Sequence, residues 1–192
     1  MIRRLLAAAA LFAAGCSTLT PAASPLPPRQ QLEAFSVEGR FALNSREAGQ
    51  AAEQASGRLR WSQPARDHSE ILLMTPLGQG IAEIRMTPDG SRLRADDGRE
   101  YMAADGDTLF REITGHSLPL RRLADWLRAR GPVATSDDHG RPLKIAENGW
   151  LISYGYADDD PDALPQRLDL QSRNGSQQID LRLRLETWRS EP

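Results

Sequence analysis

Few side chains in this sequence carry strong chemistry: one cysteine, Cys16, and three histidines, His68, His116 and His139. A lone cysteine makes no internal disulfide, so its thiol is open to covalent modification instead. It lies in Leu11-Phe12-Ala13-Ala14-Gly15-Cys16-Ser17, directly after small residues that end an apolar run. The histidines sit in turns or beside glycine, without the paired His or Cys spacing that holds zinc. His116, next to Gly115, reads as helix-end material. No Gly-x-Ser-x-Gly elbow or phosphate loop is present, and Gly78-Gln79-Gly80 is too short for a dinucleotide fingerprint. The acidic run 158–162 offers calcium-type ligands but reads as a solvated loop. Asn174-Gly175-Ser176 fits a glycosylation acceptor but reads as a hairpin turn. No metal, cofactor or catalytic residue is expected, and the chain is not expected to be an enzyme.

The surroundings of Cys16 give its thiol a use. Arg3 and Arg4 precede the apolar stretch from Leu5 to Ala14, followed by small residues, the layout of a secretory leader. The stretch is far shorter than the roughly 20 residues that span a bilayer. Ala13-Ala14-Gly15-Cys16 resembles the bacterial lipobox, although Ala13 stands where Leu is usual. The resemblance implies cleavage before Cys16, a diacylglyceryl group on its sulfur and an acylated new N-terminus. The other reading is an ordinary leader cut elsewhere, with Cys16 a chance thiol. Each buried CH₂ contributes about 0.8 kcal/mol, and stable anchoring takes at least two chains. A multiply acylated Cys16 would therefore hold the protein on a membrane. Enterobacterial lipoproteins with Asp after the cysteine stay in the inner membrane, so by resemblance Ser17 points to the outer one.

Residues 1–15 are thus read as leader and 16–31 as lipidated terminus and tether, with Pro21, Pro25, Pro27 and Pro28 favouring an extended chain. Residues 32–192 form one domain. Without the leader, 22 basic residues remain of 24, against 26 acidic ones, for a net charge near −4. That balance, with no basic cluster interleaved with aromatics, argues against nucleic acid.

The domain reads mostly as strands. Phe35, Val37, Phe41 and Leu43 alternate with polar neighbours, and Gly39 marks a bend or bulge. Residues 44–55 read as a polar connection. Further strands are expected at 57–61, 69–74, 81–86, 91–95, 100–102, 143–146, 150–156, 167–171 and 179–186. Asn148-Gly149 and Asn174-Gly175 are hairpin turns. Two helices interrupt the strands. Asp107 could cap the first, which carries Leu109, Phe110 and Ile113. The second carries Leu120, Leu123, Ala124, Trp126 and Leu127 and ends at Gly131-Pro132. Residues 134–142 read as a polar loop. Short turns between alternating strands predict a strongly curved antiparallel sheet of nine to eleven strands, with the helices over its apolar concave side. Alternation does not distinguish a solid core from a hollow one.

The ordered set of segments is more specific than any one of them. Val-Glu-Gly-Arg-Phe-Ala-Leu (37–43), Gly-Arg-Leu-Arg-Trp-Ser-Gln (57–63), Thr-Pro-Leu-Gly (75–78), Ile-Thr-Gly-His-Ser-Leu-Pro-Leu (113–120) and Leu-Ala-Asp-Trp-Leu (123–127) resemble the outer-membrane lipoprotein receptor family LolB over residues 32–188. The resemblance implies an α+β fold, a partly closed antiparallel β-barrel with a helical lid over an apolar cavity. It also implies receipt of acylated lipoprotein cargo from a LolA-like periplasmic carrier and release into the outer membrane, by a monomer that uses no cofactor. Candidate acyl-cavity residues are Phe41, Leu59, Trp61, Ile84, Leu123, Trp126, Leu127, Trp150, Ile152, Leu168, Leu181 and Leu183. Pro76, Leu77 and Gly78 form the candidate membrane-insertion loop, where Leu77 either folds back onto the core or projects. A rival reading is a structural or assembly-subunit lipoprotein that binds no acyl chain.

Overall fold

The computed structural model describes residues 26–191. Cys16, the leader and most of the tether lie outside the described residues. In chain order come β1 (Phe35–Glu47), β2 (Glu53–Ala65), β3 (His68–Met74), β4 (Gly80–Thr87), β5 (Gly90–Ala95) and β6 (Glu100–Ala103). Two helices follow, α1 (Gly106–Thr114) and α2 (Leu120–Leu127). The chain then returns through β7 (Val133–Ser136), β8 (Pro142–Glu147), β9 (Trp150–Gly155), β10 (Arg167–Asn174) and β11 (Gln177–Ser190).

All eleven strands form one sheet in the order β6-β5-β4-β3-β2-β1-β11-β10-β9-β8-β7. Two meanders are joined at the centre by antiparallel pairing of β1 with β11. The ladder has two ends, so the sheet is open rather than a partly closed barrel by hydrogen bonding. The segment between the edge strands β6 and β7 contains both helices. These cover the sheet's inward face, and their apolar sides join the strands' inward residues in a single core.

Local chemistry accounts for the bends and turns. β1 bulges against β11 between Glu38 and Gly39, and a methyl at Gly39 would collide with the Arg184 carbonyl, so only glycine fits there. Asn148 and Gly149 both take positive φ (50° and 79°), the type I′ geometry. The second hairpin is shifted by one residue: Asn174 pairs with Gln177, leaving Gly175 (φ 58°) and Ser176 as the loop. A glycine in the first loop position is the type II′ solution.

The helix ends differ from expectation. Asp105, not Asp107, caps α1, accepting from the Thr108 N–H at 2.7 Å. Asp107 sits inside the first turn, where its carboxylate approaches the Arg121 N–H of α2 at 3.4 Å. Gly115, at φ 72°, closes α1. α2 stops at Leu127, short of Gly131, because Ala129 adopts the left-handed conformation (φ 52°). β1 and β2 also run well into the polar stretch read as a connection, and β7 occupies part of the polar loop.

Candidate functional site

Between the helices and the β1–β4 half of the sheet lies a cavity of about 490 Å³. Phe41, Leu59, Trp61, Ile84, Leu181 and Leu183 reach it from the strands, Leu123 and Leu127 from α2. Its wall also takes in Leu43, Ile71, Leu73, Ile81, Phe110, Leu118 and Leu120, which the strand pattern had not singled out for this purpose. Period-two alternation reports which way a strand residue points. It does not report which helix face lies opposite, and that decides membership here. The wall is nearly all aliphatic and aromatic, with Gln54, Ser56 and Thr114 as its polar side chains.

Trp126, Trp150, Ile152 and Leu168 lie outside the cavity, a correction to the expected lining. They belong to the buried core, Trp126 on α2 and Trp150, Ile152 and Leu168 on β9 and β10. The Trp126 and Trp150 rings pack tilted, with centroids 5.9 Å apart. Trp126 Nε1 donates to Glu147 Oε2 at 2.9 Å, and Arg122 Nη2 donates to the same oxygen at 2.7 Å. Burial works to raise the Glu147 pKa, but the hydrogen bonds from Arg122 and Trp126 outweigh it and hold the carboxyl below the usual carboxylate value.

The sign of that shift gives a pH dependence. The unfolded value is about 4.3, so stability from ionised Glu147 is full above that pH. It is lost as pH falls through the lower folded value. Urea denaturation of Glu147→Gln is expected to show a flatter acid limb than the parent protein. Identical acid limbs would assign the pH dependence to other carboxylates.

The proposed insertion loop stands at the cavity margin, between lining residues Leu73 and Ile81. The Thr75 carbonyl accepts from Gly78 N–H at 2.9 Å, and Thr75 N–H donates to the Gln79 carbonyl at 2.8 Å. Pro76 therefore takes the first corner, Leu77 the second, and Gly78 the left-handed position (φ 89°). This is a three-residue hairpin loop with a fixed backbone. Leu77 projects and is 91% exposed, rather than folding back.

Beside the cavity, at the end of α1, His116 is buried between Ser45 Oγ (2.8 Å from Nε2) and Gln177 Nε2 (2.9 Å from Nδ1). A Ser–His contact suggests a nucleophile and its base. The hydrogen bonding opposes that role. With the Gln177 amide donating to Nδ1, Nε2 carries the proton and donates toward Ser45 and the Glu53 carboxylate at 3.3 Å. The imidazole donates a hydrogen bond to the serine oxygen instead of accepting one from it, and pins the helix end to β1 and β11.

An open antiparallel sheet with two helices over an apolar hollow, and an exposed leucine at the margin, defines the architecture to be compared with known proteins. The family model described as "Outer membrane lipoprotein LolB" matches residues 33–188. The chain belongs to the LolB family: it is an outer-membrane lipoprotein and not an enzyme. The outer-membrane lipoprotein LolB of Dechloromonas aromatica is 44% identical over 182 residues, 93% of each chain. That of Thiobacillus denitrificans is 35% identical over 199 residues, covering both chains fully. Among solved structures, a LolA superfamily protein from Nitrosomonas europaea aligns at a TM-score of 0.44 and 12% identity, covering 84% of this chain and 88% of that one.

Proposed function

We propose that the protein receives acylated lipoproteins from a LolA-like periplasmic carrier, holds their acyl chains in the cavity and passes them into the outer membrane. The observation that carries this reading is one continuous hollow of about 490 Å³ with an almost wholly apolar wall. Dispersion and water release are non-directional, so such a wall accepts acyl chains of any register. In this reading Cys16 is acylated and anchors the protein, residues 17–31 tether it, and a monomer suffices. The open sheet and the helices enclose this hollow, and the loop bearing Leu77 joins two of its lining residues, Leu73 and Ile81. Family membership supports the carrier and the cargo.

Filling the hollow tests the reading. Leu43→Phe and Leu181→Phe enlarge side chains at the wall without opening a void or adding charge. Displacing two methylenes of a bound chain costs about 1.6 kcal/mol, or roughly tenfold in affinity. Binding of a fluorescent fatty acid is expected to weaken by that factor in each variant, with thermal midpoints near that of the parent. Equal affinity across the variants would place the acyl site outside this hollow, and no binding by the parent would favour a structural lipoprotein with no acyl site.

A further inference from the structure

The outward face of the sheet carries a row of arginines fixed by strand register. Arg58 of β2 lies directly opposite Arg40 of β1. Arg40 lies opposite Arg184 of β11, and Arg184 opposite Arg167 of β10. All four are exposed. With neighbouring strands about 4.8 Å apart, the row spans about 15 Å. Arg182 stands two residues along β11, opposite Ala42 and Asp169. It lines a depression of about 670 Å³ floored by Ala42, Ala55 and Ser56.

Like charges directly opposite one another on a sheet are destabilising. Carboxylates relieve only part of this row. Glu186 reaches Arg40 at 2.7 Å, and Asp169 reaches Arg167 Nε at 2.6 Å. Glu38 is taken by Arg60 and Arg189, each at 3.2 Å. Asp180 also faces the depression, where it accepts from Gln178 at 3.0 Å. Among the described residues, Arg58, Arg182 and Arg184 have no carboxylate within ion-pairing distance. This concentration of positive charge stands on a chain of net charge −2.

We propose that this arginine row is a docking surface for a bilayer containing anionic phospholipid. The neighbouring loop decides between a bilayer and an acidic protein. Met74 lies directly opposite Arg58 and extends the row by one strand. The loop bearing Leu77 follows at once. Exposed cations beside an exposed apolar tip match a lipid interface, which offers headgroup phosphates and acyl chains together. An acidic peptide would satisfy the arginines and leave Leu77 in water. The inference extends the function proposed above and rests on it in one respect, that a membrane is the surface within reach.

The test uses the chain from residue 16 onward carrying Cys16→Ala, so that neither the leader nor a thiol-linked lipid contributes. Its co-sedimentation is measured with phosphatidylcholine vesicles, with and without phosphatidylglycerol. Binding is expected only to the mixed vesicles and is expected to weaken with salt. Adding Arg58→Gln and Arg184→Gln, neither of which breaks an ion pair, is expected to weaken binding about thirtyfold. The thermal midpoint should hold or rise, because the changes remove repulsion between facing arginines, and fatty-acid affinity should stay unchanged. Unchanged vesicle binding by the double variant would overturn the proposal. So would equal binding to neutral vesicles. Competition by dissolved inorganic phosphate at matched concentration would reassign the row to a small-anion site. Preference for polyglutamate over mixed vesicles would reassign it to an acidic protein. Failure of the cavity reading shows separately, as absent fatty-acid binding with vesicle binding intact.

Discussion

Leu77→Glu is expected to leave the protein folded and able to take cargo from its carrier, yet unable to insert that cargo into a membrane. The backbone of the 75–79 loop is set by Pro76, by the left-handed Gly78 and by the Thr75 hydrogen bonds, none of which involve the Leu77 side chain. At 91% exposure the leucine contributes almost nothing to the core, so the substitution should change stability by no more than about 0.5 kcal/mol. Transfer of a leucine side chain into an apolar phase is worth about 1.5–3 kcal/mol, and a glutamate at that point adds an ionic desolvation penalty. The sum is enough to stop the loop entering lipid. Separate assays of transfer from carrier to receptor, and from receptor to vesicle, should show the first intact and the second reduced at least a hundredfold. Normal insertion by the variant would make Leu77 a bystander and move release to another residue.

Arg128→Ala is expected to cost about 3–5 kcal/mol. Arg128 follows α2, and its side chain is only 2% exposed. Its guanidinium lies 5.1 Å from the centre of the Phe35 ring. It donates to the Ala124 carbonyl at 3.1 Å, to the Leu32 carbonyl at 2.7 Å and to Asp125 at 2.8 Å. Burial, chiefly, lowers its pKa, the signature of a cation held where charge is disfavoured. Truncation leaves a void against Phe35 and strips the Ala124 carbonyl of its donor. Arg130 still reaches the Leu32 carbonyl at 3.0 Å, and Arg122 still pairs with Asp125, so the damage is bounded. Arg128→Met, which refills the space, should lose less than half as much in urea denaturation. In the alanine variant the segment 29–33 should come away from α2, seen as faster tryptic cleavage after Arg29. Equal losses for Ala and Met would put the effect in the hydrogen bonds rather than the packing.

The parts of the fold that were legible from sequence share one property: each element separates a dry side from a wet one. β11, with Ile179, Leu181, Leu183 and Leu185 inward and charged residues outward, declares itself. β7 does not, because all four of its residues are exposed and an edge strand needs no apolar face. The outer arm of β2 was obscured because Glu53–Ser56 are all exposed, and that of β1 because its buried side chain, Ser45, is polar. Asp105 and Asp107 are both adjacent to the start of α1 and chemically equal as caps. Backbone geometry alone chose the first. The cavity was legible only as a set of inward residues. Leu59 and Leu168 have the same pattern, yet only Leu59 borders the cavity. The difference lies in the helix faces opposite them, which strand periodicity does not encode. The arginine row depended on register across four strands, which no single segment reveals.

The pairing of β1 with β11 at the centre of the sheet sets an order on assembly. Gly39 meets Leu185, so the middle of the structure joins one of the first strands made to the last. A chain lacking its final segment holds only two separate meanders, each with an unpaired strand where the centre should be. Contacts of such long sequence separation form late and slowly. The two meanders therefore stay unjoined, and the central core incomplete, until the C-terminal strand arrives. That is a favourable property for a polypeptide that must pass through a narrow channel before it folds.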